Sequence, residues 1–214
     1  LAEREITQIF TVVGGGAMHL NNSFGHHPRL HCLYNHHEQA SAMAAECCAR
    51  VHERIAVVCV TSGPGALNAI NGVVGAYQDS IPVLVVSGQA KRDLCIHGCG
   101  GQIRSIGGQE VDIVPAVQQN MTKYAVMVME PERIRYELEK ALYLAREGRP
   151  GPSWLDIPLD VQGSFIETDA LEGYEPPAPS AQIDLPQIAR RLLARLKAAE
   201  RPVLYAGNGI RWAG

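Results

Sequence analysis

The sequence predicts an α/β fold: a doubly wound parallel sheet of about six strands with helices on both faces, followed by a linker and the start of a second α/β domain. Three observations carry that prediction. Six short runs rich in β-branched residues alternate with segments whose apolar residues recur at helical spacing, the signature of βαβ units. Two of the runs, Ile55–Val60 and Val83–Val86, are continuously apolar, as strands covered by helices on both faces must be. Finally, 214 residues with 46% apolar and 19% charged side chains suffice for one full core and the beginning of another domain.

The six runs, in order, are Gln8–Val13, Leu30–Tyr34, Ile55–Thr61, Pro82–Ser87, Lys123–Val128 and Ser153–Ile157. After the second run, Ala40, Ser41, Ala42, Met43, Ala44 and Ala45 make a helix that is small on every side, which implies close packing. Leu67, Ile70, Val73, Val74 and Tyr77 share a helical face after the third run. Ile134, Leu138, Ala141, Leu142 and Ala145 do so after the fifth, with Pro131 in the first turn and Gly148 at the stop. These elements place a first domain at residues 1–162. Residues 163–184 lose periodicity and carry Pro176, Pro177 and Pro179, which favour an extended linker. In residues 185–214, Asp184 caps a helix striped by Ile188, Leu192 and Leu196, and a strand follows from Pro202 to Ala206 before the Gly207–Gly209 turn. One helix and one strand cannot bury a core, and no Met opens the chain, so the sequence reads as a piece of something longer, truncated at both ends.

Charge narrows the partners. Nineteen Lys and Arg against 22 Asp and Glu give a formal charge of −3, which builds no broad positive field for nucleic acid or an anionic membrane. The apolar runs are too short to span a bilayer and no signal sequence opens the chain, so a cytoplasmic location is expected. Six cysteines scattered through apolar stretches are expected to be reduced.

Three segments carry candidate chemistry. In Thr61-Ser62-Gly63-Pro64-Gly65-Ala66 a buried strand ends, two glycines turn the backbone and Pro64 opens a helix, so a ligand can approach bare backbone there. The turn lacks the Lys-Ser/Thr of a P-loop and the full GxGxxG spacing, and a plain strand-to-helix connection explains it equally. Glu38, in Asn35-His36-His37-Glu38-Gln39, opens the small-residue helix. A carboxylate at the rim of such packing is partly desolvated and suits acid/base work, although complementing the helix dipole is the plainer role. His26, His27, His31, His36 and His37 include no HExxH spacing, and Cys95-Ile96-His97-Gly98-Cys99 lacks a second ligand pair, so no metal site is expected. The glycine-rich loop from Gly88 to Gly108 is long enough to border a site or a partner.

Taken together and in order, six motifs resemble the N-terminal pyrimidine-binding domain of thiamine-diphosphate enzymes, in the acetolactate synthase group. They are Gly14-Gly15-Gly16-Ala17; His37-Glu38-Gln39; Thr61 to Asn68; Ser87-Gly88-Gln89; Gln109-Glu110-Val111-Asp112-Ile113; and Gly148 to Pro152 with Asp156-Ile157-Pro158. The resemblance runs from about Gln8 to Gln162 and extends weakly into residues 185–214. It implies a branched-chain amino acid biosynthesis enzyme that uses thiamine diphosphate and Mg2+, the metal ligands lying outside this chain.

By that resemblance Glu38 is catalytic: it hydrogen-bonds N1′ of the aminopyrimidine, and the C2 ylid so formed attacks a 2-oxo acid such as pyruvate. Pro64 and Asn68 contact the aminopyrimidine, Gln89 faces the substrate side, and Gly14 with Gly15 form the loop above the thiazolium. The resemblance also implies a homodimer or homotetramer with the active site between subunits, and a fragment inactive alone. It allows FAD, for which Arg92 is a loose counterpart of the holding arginine. Val12-Val13 stands where Tyr-Pro is usual, Cys47-Cys48 replaces Gly-Tyr, and the loop from Cys95 to Arg104 departs from the synthase pattern. A Gly-Gly-Gly-Ala-Met-His-Leu run also resembles a surface-polysaccharide-associated sister group. Other thiamine-diphosphate decarboxylases or lyases, including the 2-hydroxyacyl-CoA lyase type, therefore stay open, as do a non-catalytic nucleotide-binding module and a domain used only for oligomerisation. A Glu38 that meets the Gly63–Asn68 helix of a neighbouring subunit marks the enzyme; a solvated Glu38 marks the module.

Overall fold

The computed structural model describes residues 1–97, 99–100, 103–107, 110–178 and 184–213, which fall into two compact units, Leu1–Tyr174 and the residues from Glu175 onward. The first unit is built on β1 (Gln8–Thr11), β2 (His31–Tyr34), β3 (Ala56–Val60), β4 (Val83–Gln89), β5 (Tyr124–Met127) and β6 (Ser153–Pro158). All pairings are parallel, in the order β2-β1-β3-β4-β6-β5. The six-stranded parallel sheet expected from the apolar runs is present, with Ala56–Val60 lying in register beside Val83–Ser87 at its centre. Every residue of β3, β4 and β6 is buried, as strands sandwiched between helices require.

The connecting helices are α1 (Met18–His26), α2 (Glu38–His52), α3 (Pro64–Gln78), α4 (Ile113–Gln118), α5 (Ile134–Arg146) and α6 (Leu159–Gln162). Alternate strand residues point to opposite faces. Ile9, Val57, Leu84, Val86, Leu155 and Ile157 pack toward Leu20 and Phe24 of α1 and Ile134, Leu138 and Leu142 of α5. Phe10, Val58, Val60, Val83, Val85 and Trp154 take the other face, which α2, α3 and α4 cover. The small residues of α2 serve one stripe, Ser41, Ala42, Ala45 and Ala49, rather than every side. Against that stripe lies Gly72 of α3, where a β-carbon would stand 2.7 Å from the Ala42 carbonyl carbon, so the two helices meet backbone to backbone.

Several boundaries differ from the sequence reading. β1 stops at Thr11, because Val12 and Val13 leave the ladder to enter the glycine loop. β4 runs two residues past Ser87, since Gly88 and Gln89 still pair with Ile157 and Pro158. Helix α1 has no fully buried residue and turns only Leu20 and Phe24 to the core, a stripe too short to stand out among its polar neighbours. Residues 163–174, assigned from sequence to the linker, lie on the first unit: the Tyr174 ring sits 5.4 Å from that of Tyr136 and 5.6 Å from that of Tyr143, and its N–H donates to Glu139 Oε2 at 2.8 Å. In the second unit α7 (Leu185–Ala198) starts at Asp184, whose Oδ1 accepts from Gln187 N–H at 2.9 Å, and α8 spans Gly209–Ala213. The strand expected at Pro202–Ala206 is extended chain instead, with no ladder to another described segment. Pro179 lies outside the described residues. Among the described residues no helix is long and apolar enough to cross a membrane.

All six cysteines are free thiols. Burial pushes Cys59 up to about 12, and burial together with the Glu110, Asp156, Asp160 and Asp112 carboxyls pushes Cys95 to about 12 as well. Since the thiolate is the reactive form, brief alkylation of the native protein followed by peptide mass mapping should leave Cys59 and Cys95 unmodified until denaturant is added. Two glycines make a contrasting pair. A β-carbon at Gly88 would stand 2.0 Å from the Gly16 carbonyl oxygen, whereas one at Gly75 of α3 meets nothing within 4 Å. Gly88→Ala should therefore destabilise by about 3 kcal/mol, seen as a lowered melting temperature. Gly75→Ala, in the interior of a helix, should raise stability by roughly 0.5–1 kcal/mol.

Candidate functional site

In the strand order, β2 lies on one side of β1 and β3 on the other, so the chain reverses direction across the sheet at β1. In open α/β sheets the crevice at that point, beyond the carboxyl ends of the strands, is where ligands bind. Loops from the ends of β1, β2 and β3 converge there. After β1, Gly14 is extended at φ −167°, and a β-carbon on it would stand 2.5 Å from Thr61 Cβ. Gly16 N–H donates to Thr61 Oγ1 at 3.0 Å, which ties the glycine loop to the end of β3. Gly15, at the tip, is exposed with nothing within 4 Å of its β-position. After β3, Gly63 adopts φ 56°, ψ −124°, a conformation that L side chains avoid, and this turns the backbone into Pro64 at the exposed start of α3.

Glu38 is the first residue of α2, held there by a local cap. His37 Nδ1 accepts from Gln39 N–H at 3.1 Å, which closes the amino end of the helix, and Asn35 Nδ2 donates to the buried Ser41 Oγ at 3.0 Å. The Glu38 side chain is half-buried and crosses to α3, where its Oε2 accepts from Asn68 Nδ2 at 3.0 Å. Its other oxygen, Oε1, lies against the bare α-carbon of Gly65, 3.4 Å from where a β-carbon would stand. The carboxylate is thus oriented by one amide, and Gly65 is bare because Thr61 Cγ2 would stand 2.6 Å from a β-carbon there. The partner helix belongs to the same chain, so the contact between Glu38 and the Gly63–Asn68 segment, looked for between subunits, is made within one.

Gln89 occupies a different setting, only 1% exposed. Its Nε2 donates to the Val111 carbonyl at 2.9 Å and to Asp156 Oδ2 at 3.0 Å, while its Oε1 accepts from Ala90 N–H at 2.9 Å. The amide is thus fully engaged inside the protein. Around it lie Ser87, Trp154 and Asp156 of the central strands, and Glu110 and Asp112 of the loop that follows β4. Sequence patterning placed Ser87, Glu110, Asp112 and Asp156 in motifs without giving them a role; a wholly buried Asp in a strand of apolar neighbours was the available signal. Burial pushes Asp156 up to about 7, opposed by hydrogen bonds from Ser87 and Gln89 and reinforced by the Asp112 and Glu110 carboxyls.

Arg92, the loose counterpart of a flavin-holding arginine, is engaged with partners of its own chain. Its Nε donates to Asp160 Oδ2 at 2.7 Å and its Nη1 to the Met129 carbonyl at 2.8 Å, with its own N–H on Asp160 Oδ1 at 3.0 Å. The loop after β4 folds back on acidic partners: His97 Nδ1 lies 2.9 Å from Asp112 Oδ2, Ile96 N–H bonds Glu110, and Cys95 Sγ is 3.4 Å from the Ala90 carbonyl oxygen. Gly98 and Gln109 of the sequence motifs lie outside the described residues. Among the described residues no group of three or more His, Cys, Asp or Glu is arranged to hold a metal ion.

The chain is similar in sequence to acetolactate synthases. The chain is 33% identical to the acetolactate synthase isozyme 3 large subunit of Escherichia coli, over all of this chain and 36% of that protein. It is 34% identical to the acetolactate synthase large subunit of Lactococcus lactis, again over all of this chain and 36% of the relative. To the chloroplastic acetolactate synthase 2 of Nicotiana tabacum it is 32% identical, over 97% of this chain and 30% of the relative. The chain thus spans about a third of the length of these relatives. Residues 1–121, which carry the glycine loop, Glu38, the Gly63 turn and Gln89, match the family model of the thiamine pyrophosphate enzyme N-terminal TPP binding domain, and the chain belongs to that family.

Proposed function

We propose that this chain is the pyrimidine-binding part of a thiamine-diphosphate-dependent enzyme of the acetolactate synthase type, acting on a 2-oxo acid such as pyruvate. The observation that carries the reading is the Glu38–Asn68 pair, 3.0 Å apart, beside Gly65 at the switch point of the sheet. When bound, thiamine diphosphate supplies the carbanion chemistry that attacks the oxo acid. Glu38 holds and shares a proton at N1′ of the aminopyrimidine. Asn68 fixes the carboxylate's rotamer, so that Oε1 rather than Oε2 meets the ring. Gly63 and Gly65 let the ring lie close to the main chain, and Pro64 presents an apolar edge beside it. Gly14 and Gly15 form the loop above the thiazolium: Gly14 packs against Thr61, and Gly15 leaves the tip open. Gln89, expected to face the substrate side, is instead buried with its amide engaged inside the chain, and supports the site from behind.

The diphosphate and its Mg2+ are assigned to a part of the protein other than residues 1–214, and the site is completed by a second subunit of a homodimer or homotetramer. The transferase or lyase outcome follows from which acceptor the downstream part admits. In the full-length enzyme Glu38→Gln should preserve the fold and the binding of thiamine diphosphate, because the amide is nearly isosteric. It should lower kcat by roughly 10² to 10⁴, the usual worth of a positioned acid or base, and slow exchange of the cofactor's C2 proton in parallel. Retention of C2 exchange within tenfold of wild type would remove Glu38 from the mechanism. Asn68→Ala should raise KM for the cofactor and lower kcat by a smaller factor, on the order of tenfold, since it orients the carboxylate without replacing it.

A further inference from the structure

Asp156 sits at the carboxyl end of β6 with no exposed surface, in a chain of hydrogen bonds that crosses the sheet. Trp154 Nε1–H donates to Ser87 Oγ at 2.8 Å, Ser87 lies 2.5 Å from Asp156 Oδ1, and Gln89 Nε2 donates to Asp156 Oδ2 and to the Val111 carbonyl. The indole can only donate, so Ser87 must accept from it and has one proton left to give. With Asp156 ionised, that proton goes to Oδ1 and every member is satisfied. With Asp156 protonated, the acid donates to Ser87 instead, the hydroxyl turns about, and the bond from Gln89 loses its charge assistance.

Opposing forces bear on the choice between these states. Every donor aimed at the carboxyl group favours the anion. Full burial disfavours it, as do the charged groups bearing on it from the loop after β4, Asp112 and Glu110. The nearby basic side chains are engaged elsewhere: His97 Nδ1 meets Asp112, and Arg92 pairs with Asp160 of α6. Ser87 and Gln89 from β4, and Trp154 from β6 itself, are neutral. The balance leaves Asp156 at about 7. Glu110 and Asp112 each engage one oxygen, with Ile96 N–H and His97 Nδ1, while Glu110 Oε2 and Asp112 Oδ1 are buried without a hydrogen-bond partner.

We propose that Asp156 is a positioning residue for Gln89 and for the Val111 segment behind it, and that uptake of one proton from solvent by its carboxyl group reverses the Ser87 hydroxyl and is felt at Trp154. Its bearing on the cofactor site rests on the reading above; the proton switch does not.

Trp154 is the reporter. The full-length protein labelled with 5-fluorotryptophan is followed by 19F NMR from pH 5 to 9, with the Trp154 resonance identified by its loss in Trp154→Phe. The resonance should shift with a midpoint close to neutrality and be flat in Asp156→Asn. Should that variant fail to fold, Glu110→Gln supplies the second arm: removing one neighbouring carboxylate should lower the midpoint by about half a unit to one unit. A Trp154 resonance that does not titrate in the wild type, a titration that survives in Asp156→Asn, or a midpoint unmoved in Glu110→Gln would overturn the proposal. None of these outcomes depends on whether Glu38→Gln impairs catalysis, so the two readings fail separately.

Discussion

Close approach of main chain to main chain at the carboxyl ends of the central strands is the constraint on which the rest depends. Gly16 lies against Gly88 so tightly that no β-carbon fits between them, and its N–H is held by Thr61. Three loops are thereby drawn onto one spot, the ends of β1, β3 and β4, where side chains would have kept them apart. Such crowding is tolerable only because the sheet beneath is rigid: parallel strands buried on both faces, packed by β-branched residues with few alternative rotamers. The glycines do not make the site flexible. They make it thin, with main chain against main chain.

Much of this was legible in the residues. Ile55–Val60 and Val83–Val86 announce central strands because nothing but burial on both faces explains unbroken apolar runs of that length. Helices α3 and α5 show their buried stripes, and Pro64, Pro131 and Gly148 mark their ends. Where burial is absent the pattern fails. Helix α1 keeps no residue fully inside, so its sequence looks like loop. Pro202–Ala206 has the composition of a strand but no partner among the described residues, and composition alone does not make a ladder. At the site, Glu38 was visible only through the company it keeps in motif order, because a glutamate in a first helical turn has the plainer task of meeting the dipole. Its geometric partner Asn68 lies 30 positions away, a separation no periodicity encodes. The buried network of Ser87, Gln89, Trp154 and Asp156 was out of reach for the same reason: it joins two strands across 67 residues or more of chain.

Electrostatically, the carboxyl ends of the sheet divide into two neighbourhoods. One, at Glu38, holds a single half-buried acid with an amide donor. The other, around Asp156, gathers Glu110, Asp112 and Asp160, with Arg92 on Asp160 and His97 Nδ1 against Asp112. The strand ends there are held by polar contacts as well as by apolar packing.

The contact of Gly72 with Ala42 has a consequence for how the molecule is altered. Since α2 and α3 touch through their backbones, Glu38 at the head of one and Asn68 on the other move as parts of a single body. The helix seam, rather than any side chain at the ends of the strands, is the position whose enlargement would separate that acid from its amide by simple wedging.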